Sequence, residues 1–385
     1  MANKQHSYWE QDQLSAIDYI IVGSGITGLS CALTLKGIDP AKRILVLEKG
    51  VMLNGASMKN AGFACFGSVS EILADAKLHS EQELIELIRS RAEGLETLKT
   101  LVSPTEMDFQ INGGYEFFTK DQNALAEACF AQVDYVNKIT QEALSSVSPV
   151  FETVSNHFGF GSVLDKGLVN LKEGQLHVGK MMNSLMRRCA QEDIRILSGV
   201  EVLGYQETTE NCLVETKELG VLKTQKLLLA TNGFTQSILP DLVIPARAQV
   251  LITEPIDQLK IKGTFHMDQG YYYFRNIDQR ILIGGGRNLD FKGETTTTMG
   301  TTEQIQQALE RTLRDVVLPK HQGIKISRRW SGIMGLGGQK RPIIRALSER
   351  VFCGVRLGGM GVAIGSSVGA QLAKISSKQK REAQF

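Results

Sequence analysis

Two apolar runs near the start of the chain do not alternate with polar residues. Ile17–Val22 (IDYIIV) and Arg43–Glu48 (RILVLE) are nearly continuous in hydrophobic side chains, the pattern of strands buried on both faces of a parallel sheet. Between them, Ile26–Lys36 carries Leu29, Ala32 and Leu33 at helical spacing, with Gly37 placed to end the helix and Pro40 to forbid its continuation. Strand, helix and strand of these lengths make one βαβ unit. Glu81–Val102 puts Leu84, Leu87, Ile88, Leu95, Leu98 and Leu101 on one stripe and predicts an amphipathic helix. Further helices are predicted at Asp121–Leu144, Gln175–Gln191, Glu303–Val317 and Ser366–Lys374. Strands are predicted within Glu106–Thr119 around Gly113-Gly114, at Ile194–Val202 and at Lys226–Ala230. From Pro245 the texture changes. Ala248–Thr253, Gly270–Arg275 and Arg280–Gly284 are β-rich runs separated by turns, as in an antiparallel sheet. Ser376–Phe385 reads as a polar, solvated tail. This interleaving predicts an α/β chain of two units built from non-contiguous pieces: 1–80, 169–235 and 326–385 in one, 81–168 and 236–325 in the other.

Composition narrows the function. With 385 residues, 42% of them hydrophobic, the chain can bury a large cofactor. A formal net charge of +2 and no basic stripe argue against a nucleic-acid partner. The six cysteines form no CxxC pair and the histidines no HExxH, so no protein metal site is expected. The polar start MANKQHSYWEQDQ has no apolar signal region, and no apolar run reaches the roughly 20 residues of a membrane span. A reducing, cytoplasmic setting with free thiols follows as an expectation.

Gly23-Ser24-Gly25-Ile26-Thr27-Gly28 fits G-x-G-x-x-G, after a buried strand and at the start of a helix, and Glu48 ends the next strand. Gly23 permits a tight turn, Gly25 lets backbone approach a pyrophosphate, and Gly28 lets helix and strand pack closely. The helix start offers unpaired N–H groups to phosphates. Glu48 can accept from both ribose hydroxyls and would repel a 2′-phosphate. This Rossmann-like fingerprint fits FAD and NAD equally. Three later stretches favour the larger cofactor: Gly55–Gly62, Leu229–Gly233 and Gly354–Gly361 place small residues and amides where backbone can approach a planar ring.

The order VGSGITGLS, LVLEKG, GASMKNAG, GQLHVGKM, LATNGF, YYYFR…RILIGGGR, RRWSGI and VRLGGMGVAIGSSVGAQLA resembles FAD-dependent oxidoreductases of the glycine/D-amino-acid oxidase family, over nearly the whole chain. The resemblance implies a Rossmann-like FAD-binding domain interleaved with a substrate domain on a mostly antiparallel sheet with helices. It implies ADP contacts at Gly23, Ser24, Gly25, Ile26, Gly28, Glu48 and Lys49, and an adenine contact near Val202. Flavin-side contacts are implied at Ser57, Asn60, Gly62, Thr231, Gly233, Gly359, Met360 and Gly361. It also implies oxidation of a small amine or amino acid by hydride transfer to flavin N5, giving an imine that hydrolyses, with O2 or a carrier as acceptor. FAD would be held non-covalently, although Cys65 and Cys353 flank the flavin loops. No acid–base residue is assigned, since the flavin carries the chemistry.

Tyr271, Tyr273 and Arg275 are the substrate-binding candidates, with Arg275 able to fork onto a carboxylate and the two tyrosines sharing a strand face. The usual carboxylate anchors of amino-acid oxidases are missing: Met334 follows Trp330-Ser331-Gly332-Ile333, and Met360 and Ala363 occupy the C-terminal loop. This resembles the γ-glutamylputrescine oxidase branch, which takes amines. The alternatives are a dehydrogenase of another small substrate, an enzyme modifying RNA or protein, and a flavin-binding protein without amine turnover. His79, His157 and His177 show no partner pattern and read as structural.

Overall fold

The computed structural model describes residues 7–239 and 242–378; most of the predicted tail, 379–385, lies outside these described residues. Two large sheets organise the chain. The first has at its centre the parallel strands Val351–Val355, Gly220–Leu229, Ile17–Val22, Ile44–Glu48 and Arg195–Ser198, in that spatial order. Ile343–Ala346 closes one edge antiparallel, while Cys212–Thr216 and Val202–Glu207 add an antiparallel flap on Gly220–Leu229. Every residue of Ile44–Glu48 is buried, as its unbroken apolar run requires.

Helices Ile26–Ile38 and Gly361–Ser377 pack together against the first sheet through small residues: a Cβ on Gly369 would lie 2.4 Å from the Thr27 carbonyl oxygen, and one on Gly365 3.0 Å from Ile26. On its other side, the C-terminal helix meets the long helix Glu81–Leu101, where a Cβ on Gly94 would lie within 2.0 Å of the Ala363 carbonyl. Main-chain contact this close needs glycine.

The second sheet runs Ile326–Leu336, Ile244–Thr253, Arg280–Gly285, Tyr272–Ile277, Thr264–Met267, Gly114–Glu116, Lys166–Asn170 and Phe151–Ser155. It is antiparallel except where Thr264–Met267 meets Gly114–Glu116. Residues 326–336, grouped by sequence with the first unit, pair with Ile244–Thr253 along its length and so lie in this second sheet. A core of Phe117, Phe160, Phe265 and Phe274 fills one face, with Phe265 and Phe274 stacked at 4.7 Å.

Several boundaries differ from those predicted. The helix predicted at Ile26–Lys36 continues through Gly37 to Ile38 and closes with the Asp39 N–H on the Leu35 carbonyl. The predicted helix 121–144 breaks at Gln132 into Asn123–Ala131 and Val133–Leu144, which separates the buried pair Ala126/Cys129 from Val136, Ile139 and Ala143. The helix over 303–317 finishes in a π turn, Thr312–Val317, that buries Leu313, Val316 and Val317. No helix among the described residues is long and apolar enough to cross a membrane.

Candidate active site

The glycine fingerprint forms the turn its spacing requires. Gly23 has φ 102°, and a Cβ there would lie 2.8 Å from the Ala230 carbonyl oxygen. A Cβ on Gly28 would lie 1.9 Å from the Gly23 carbonyl oxygen, so helix and strand touch backbone to backbone. Gly25 caps the helix without a side chain, leaving first-turn N–H groups that no helical carbonyl can reach. Ser57 Oγ accepts the Ile26 N–H at 3.0 Å, which brings the Gly55–Gly62 loop to the same helix end.

Buried Glu48 is held in place by three donors. Its Oε2 accepts from the Ser24 N–H at 3.2 Å and the Ser24 hydroxyl at 2.6 Å, and its Oε1 accepts the Gly50 N–H at 2.9 Å. Lys49 is largely exposed and pairs with Glu201 at 2.5 Å, beside Val202 at the start of its strand. The Val200 N–H donates to the Glu48 carbonyl at 2.9 Å. The residues expected to hold ADP are thus gathered at one end of the parallel strands, where open α/β sheets bind ligands.

Three other segments converge nearby. Asn232, left-handed at φ 43°, accepts the N–H groups of Arg356 and Leu357 on Oδ1, each at 3.1 Å. The Gly358 N–H donates to the Gly335 carbonyl at 3.0 Å, and a Cβ on Gly233 would lie 2.5 Å from the Met334 carbonyl oxygen. The loops carrying Thr231–Gly233, Met334 and Gly359–Gly361 therefore meet. Thr231 Oγ1 shares a hydrogen bond with Thr235 at 2.9 Å. Met360 caps the C-terminal helix without a side-chain bond, and its sulfur accepts the Cys65 thiol at 3.8 Å. Asn60 uses its amide on its own loop, donating to the Ala56 and Ser57 carbonyls and accepting the Gly62 N–H at 2.8 Å. Trp330 Nε1 donates to the Lys59 carbonyl at 2.9 Å and fastens that loop to the second sheet.

Arg275 does not present a free fork. It is 3% exposed, and its Nη1 donates to the carbonyls of Ala61 (3.2 Å), Gly62 (3.0 Å) and Leu176 (2.7 Å), its Nε to the Asn276 carbonyl (3.0 Å). Burial lowers its pKa to about 10. The guanidinium ties the Gly62 turn to the second sheet. Tyr271 lies in the turn before the strand, which begins at Tyr272, and stands partly exposed against Phe291. Tyr271 and Tyr273 therefore do not share a strand face. Tyr273 packs edge-on against Phe63 at 5.6 Å, and burial pushes its phenol up to about 12.

The same Phe63 ring lies edge-on to His266 at 5.3 Å, and behind it is a buried cluster that sequence reasoning missed. His266 Nδ1 lies 3.7 Å from Glu71, and Nε2 lies 3.5 Å from Glu173. The second approach is an ion-pair contact without hydrogen-bond geometry, so Nε2 has no hydrogen-bond partner among the described residues. Burial alone would lower the His266 pKa, but Glu173, Glu71 and Glu116 outweigh it and hold the ring up at about 9. Glu116 accepts from the Ser68 hydroxyl and from both the hydroxyl and the N–H of Ser70, and burial raises its carboxyl. Glu173 accepts the Phe66 and Gly67 N–H groups at 2.7 and 3.2 Å. Residues 65, 71, 116, 173 and 266 share no spacing. The one local signal is a histidine between Phe265 and Met267 in a β-rich run.

The sequence pattern of the DAO family, FAD dependent oxidoreductase, matches residues 18–375. The chain belongs to that family. Consistent with this, it is 24% identical to the γ-glutamylputrescine oxidoreductase of Escherichia coli strain K12, over 97% of this chain and 87% of that one. It is 20% identical to the probable oxidoreductase OrdL of Haemophilus influenzae, over 97% and 85%. Its fold matches the L-proline dehydrogenase of P. horikoshii with a TM-score of 0.73 at 16% identity, covering 94% of each chain. FAD is the cofactor of this family and of this member. The residues present fit it: the Gly23–Gly28 turn is a cradle that any Cβ would fill, with first-turn N–H groups at its mouth and a desolvated, pre-oriented carboxylate on Glu48.

Proposed function

We propose that this FAD-dependent oxidoreductase oxidises a small amine or amino acid at the carbon bearing nitrogen, to an imine that hydrolyses. The observation that carries the proposal is the junction of the two sheets. There the loops expected to clasp the ring, Gly55–Gly62 and Gly358–Gly361, meet an aromatic wall of Tyr273 and His266 on the second sheet and Phe63 on the short strand Phe63–Ala64. FAD, when bound, supplies the two-electron acceptor. Gly23, Ser24, Gly25, Ile26, Gly28 and Glu48, with Lys49 and Val202 beside them, would hold its ADP half. Ser57, Asn60, Gly62, Thr231, Gly233, Gly359, Met360 and Gly361 would shape the ring's surroundings.

The protein's own part is positional. Phe63 and Tyr273 exclude water and favour the neutral form of an amine, the form that can be oxidised. The Tyr273 phenol, held up at about 12, stays a neutral donor. Arg275 keeps the Gly62 turn in place, which supports an amine rather than a carboxylate as the recognised group. The names γ-glutamylputrescine oxidoreductase and L-proline dehydrogenase support a nitrogen-bearing substrate. All six cysteines are buried and unpaired, with Cys65 turned onto Met360, which supports a non-covalent flavin and a reducing, cytoplasmic setting.

The test is anaerobic mixing of the yellow protein with amines, N-methyl amino acids, D-amino acids and proline analogues, followed at the flavin band. Bleaching by one class, with the carbonyl product formed, is expected. No bleaching across the whole panel in flavin-loaded protein would count against amine turnover. Acid precipitation should release the flavin into the supernatant.

A further inference from the structure

Behind Phe63, three side chains of unlike chemistry point at one another. Cys65 follows the short strand Phe63–Ala64, Glu173 precedes the strand Gly174–Gln175, and His266 lies in Thr264–Met267. The cysteine sulfur, a carboxylate oxygen and an imidazole nitrogen all lie within 4.8 Å of one another, and all three residues are buried. His266 is 5% exposed, and its Nε2, facing Glu173, has no hydrogen-bond partner among the described residues.

The separations approach those of a coordination shell. Around a tetrahedral ion with metal–N and metal–O bonds of about 2.0–2.1 Å, the N···O edge is about 3.3 Å. Nε2 and Glu173 Oε2 stand 3.5 Å apart. The thiol has to close by roughly 1 Å to complete the shell. An outer layer is already in place. The second imidazole nitrogen, Nδ1, faces Glu71 at 3.7 Å. The second Glu173 oxygen takes the Phe66 and Gly67 N–H groups at 2.7 and 3.2 Å. Outer partners of this kind, a carboxylate on the far nitrogen of the histidine and donors on the free carboxylate oxygen, orient metal ligands. The Met360 sulfur beside Cys65 at 3.8 Å adds a soft, polarisable neighbour.

We propose that Cys65, Glu173 and His266 bind one divalent transition-metal ion through a thiolate, a carboxylate and a neutral imidazole. The mixed S, N and O donor set suits zinc, with a fourth position left for water. Binding releases two protons to solvent, one from the Cys65 thiol and one from the His266 imidazolium, and the two negative ligands then balance the charge of the ion. The assignment is independent of which substrate the flavin oxidises.

The experiment uses the full-length, flavin-loaded protein purified without chelator. Mass-spectrometric metal analysis should find about one zinc per chain after gel filtration, and Cys65→Ser and His266→Asn should each lower it to about a tenth or less. Cys212→Ala, in the core on the far strand Cys212–Thr216 of the first sheet, should keep it. Chelator-stripped wild type given cobalt(II) should show tetrahedral d–d bands to the red of the flavin absorption, a readout that needs no variant to fold. Flavin-loaded wild type without stoichiometric metal and without those bands after cobalt addition overturns the assignment, leaving a metal-free ion-pair network. Undiminished metal in folded Cys65→Ser and His266→Asn overturns it too, by placing the ion elsewhere.

Discussion

Gly28→Ala adds one methyl group at the tightest backbone contact of the fingerprint. That carbon would sit 1.9 Å from the Gly23 carbonyl oxygen, whereas real Cβ contacts essentially never fall below 3.0 Å. Helix and turn must therefore part by about 1 Å, and neither can retreat freely. On its far side the helix is held by the C-terminal helix, where Gly369 already lies 2.4 Å, as a virtual Cβ, from the Thr27 oxygen. The turn is held by Ala230, whose oxygen a Gly23 Cβ would approach to 2.8 Å. Overpacking of this kind costs about 1–3 kcal/mol, or more where nothing yields. If about 3 kcal/mol of it falls on the FAD-bound state, affinity drops roughly 100-fold, at 1.4 kcal/mol per decade. Gly37→Ala is the matched control, since it lies in the same helix and a Cβ there meets nothing within 4 Å. It should bind FAD normally and gain about 0.5–1 kcal/mol of stability from helix propensity. The assay is quenching of FAD fluorescence by apoprotein, with a thermal melt of each variant. A Gly28→Ala protein that binds FAD within about threefold of wild type and melts at the same temperature would falsify the claim that this contact sets the cradle.

Arg275→Met strips a donor from four carbonyls, of which Gly62 keeps the Leu176 N–H, and at about 1 kcal/mol for each of the other three, the loss is about 3 kcal/mol. With an unfolding entropy of about 2.1 cal/mol/K per residue, that lowers Tm by about 4 °C; the effect on acidic and neutral substrates should be equal, and selective loss of acidic ones would restore Arg275 as an anchor. Trp330→Phe removes a single hydrogen bond to the Lys59 carbonyl, so a stability loss of about 1 kcal/mol is expected in denaturant melts, and no change at all would mean the clasp is idle. Tyr273→Phe should leave FAD binding untouched but alter the rate of anaerobic flavin reduction by whichever amine proves active; an unchanged rate removes Tyr273 from the substrate wall. Burial raises the thiols of Cys129 and Cys189 to about 12 and of Cys212 to about 11, and lifts Cys31, Cys65 and Cys353 as well. A thiol reagent at mildly alkaline pH should therefore find no reactive cysteine in the native protein and all six after denaturation. Fast labelling of the native protein would contradict that burial.

What was legible in the sequence follows from how locally each feature is encoded. The βαβ unit and its glycines are fixed within some thirty residues, and there the apolar runs and the glycine spacing point the same way, so the reading reached the tight turn at Gly23 and the close helix–strand approach at Gly28. The break at Gln132 and the π turn after Arg311 left no trace in periodicity, because tertiary packing decides where an amphipathic stripe must be re-aimed. Arg275 shows a sharper limit. Its charge within a strand of the substrate sheet suggested a carboxylate partner, but a guanidinium is equally satisfied by carbonyl oxygens, and only the fold places Ala61, Gly62 and Leu176 around it. The acidic cluster lies further still from what sequence can show. Its members are scattered across two hundred residues and are joined by strands of the second sheet and by the short pair Phe63–Ala64 and Gly174–Gln175, so neither the absence of CxxC nor the absence of HExxH bears on what they bind. Spacing rules detect metal ligands carried on one loop or helix. A site assembled from single residues on separate strands becomes visible only once the register of Thr264–Met267 against Gly114–Glu116, and of Phe63–Ala64 against Gly174–Gln175, has been set.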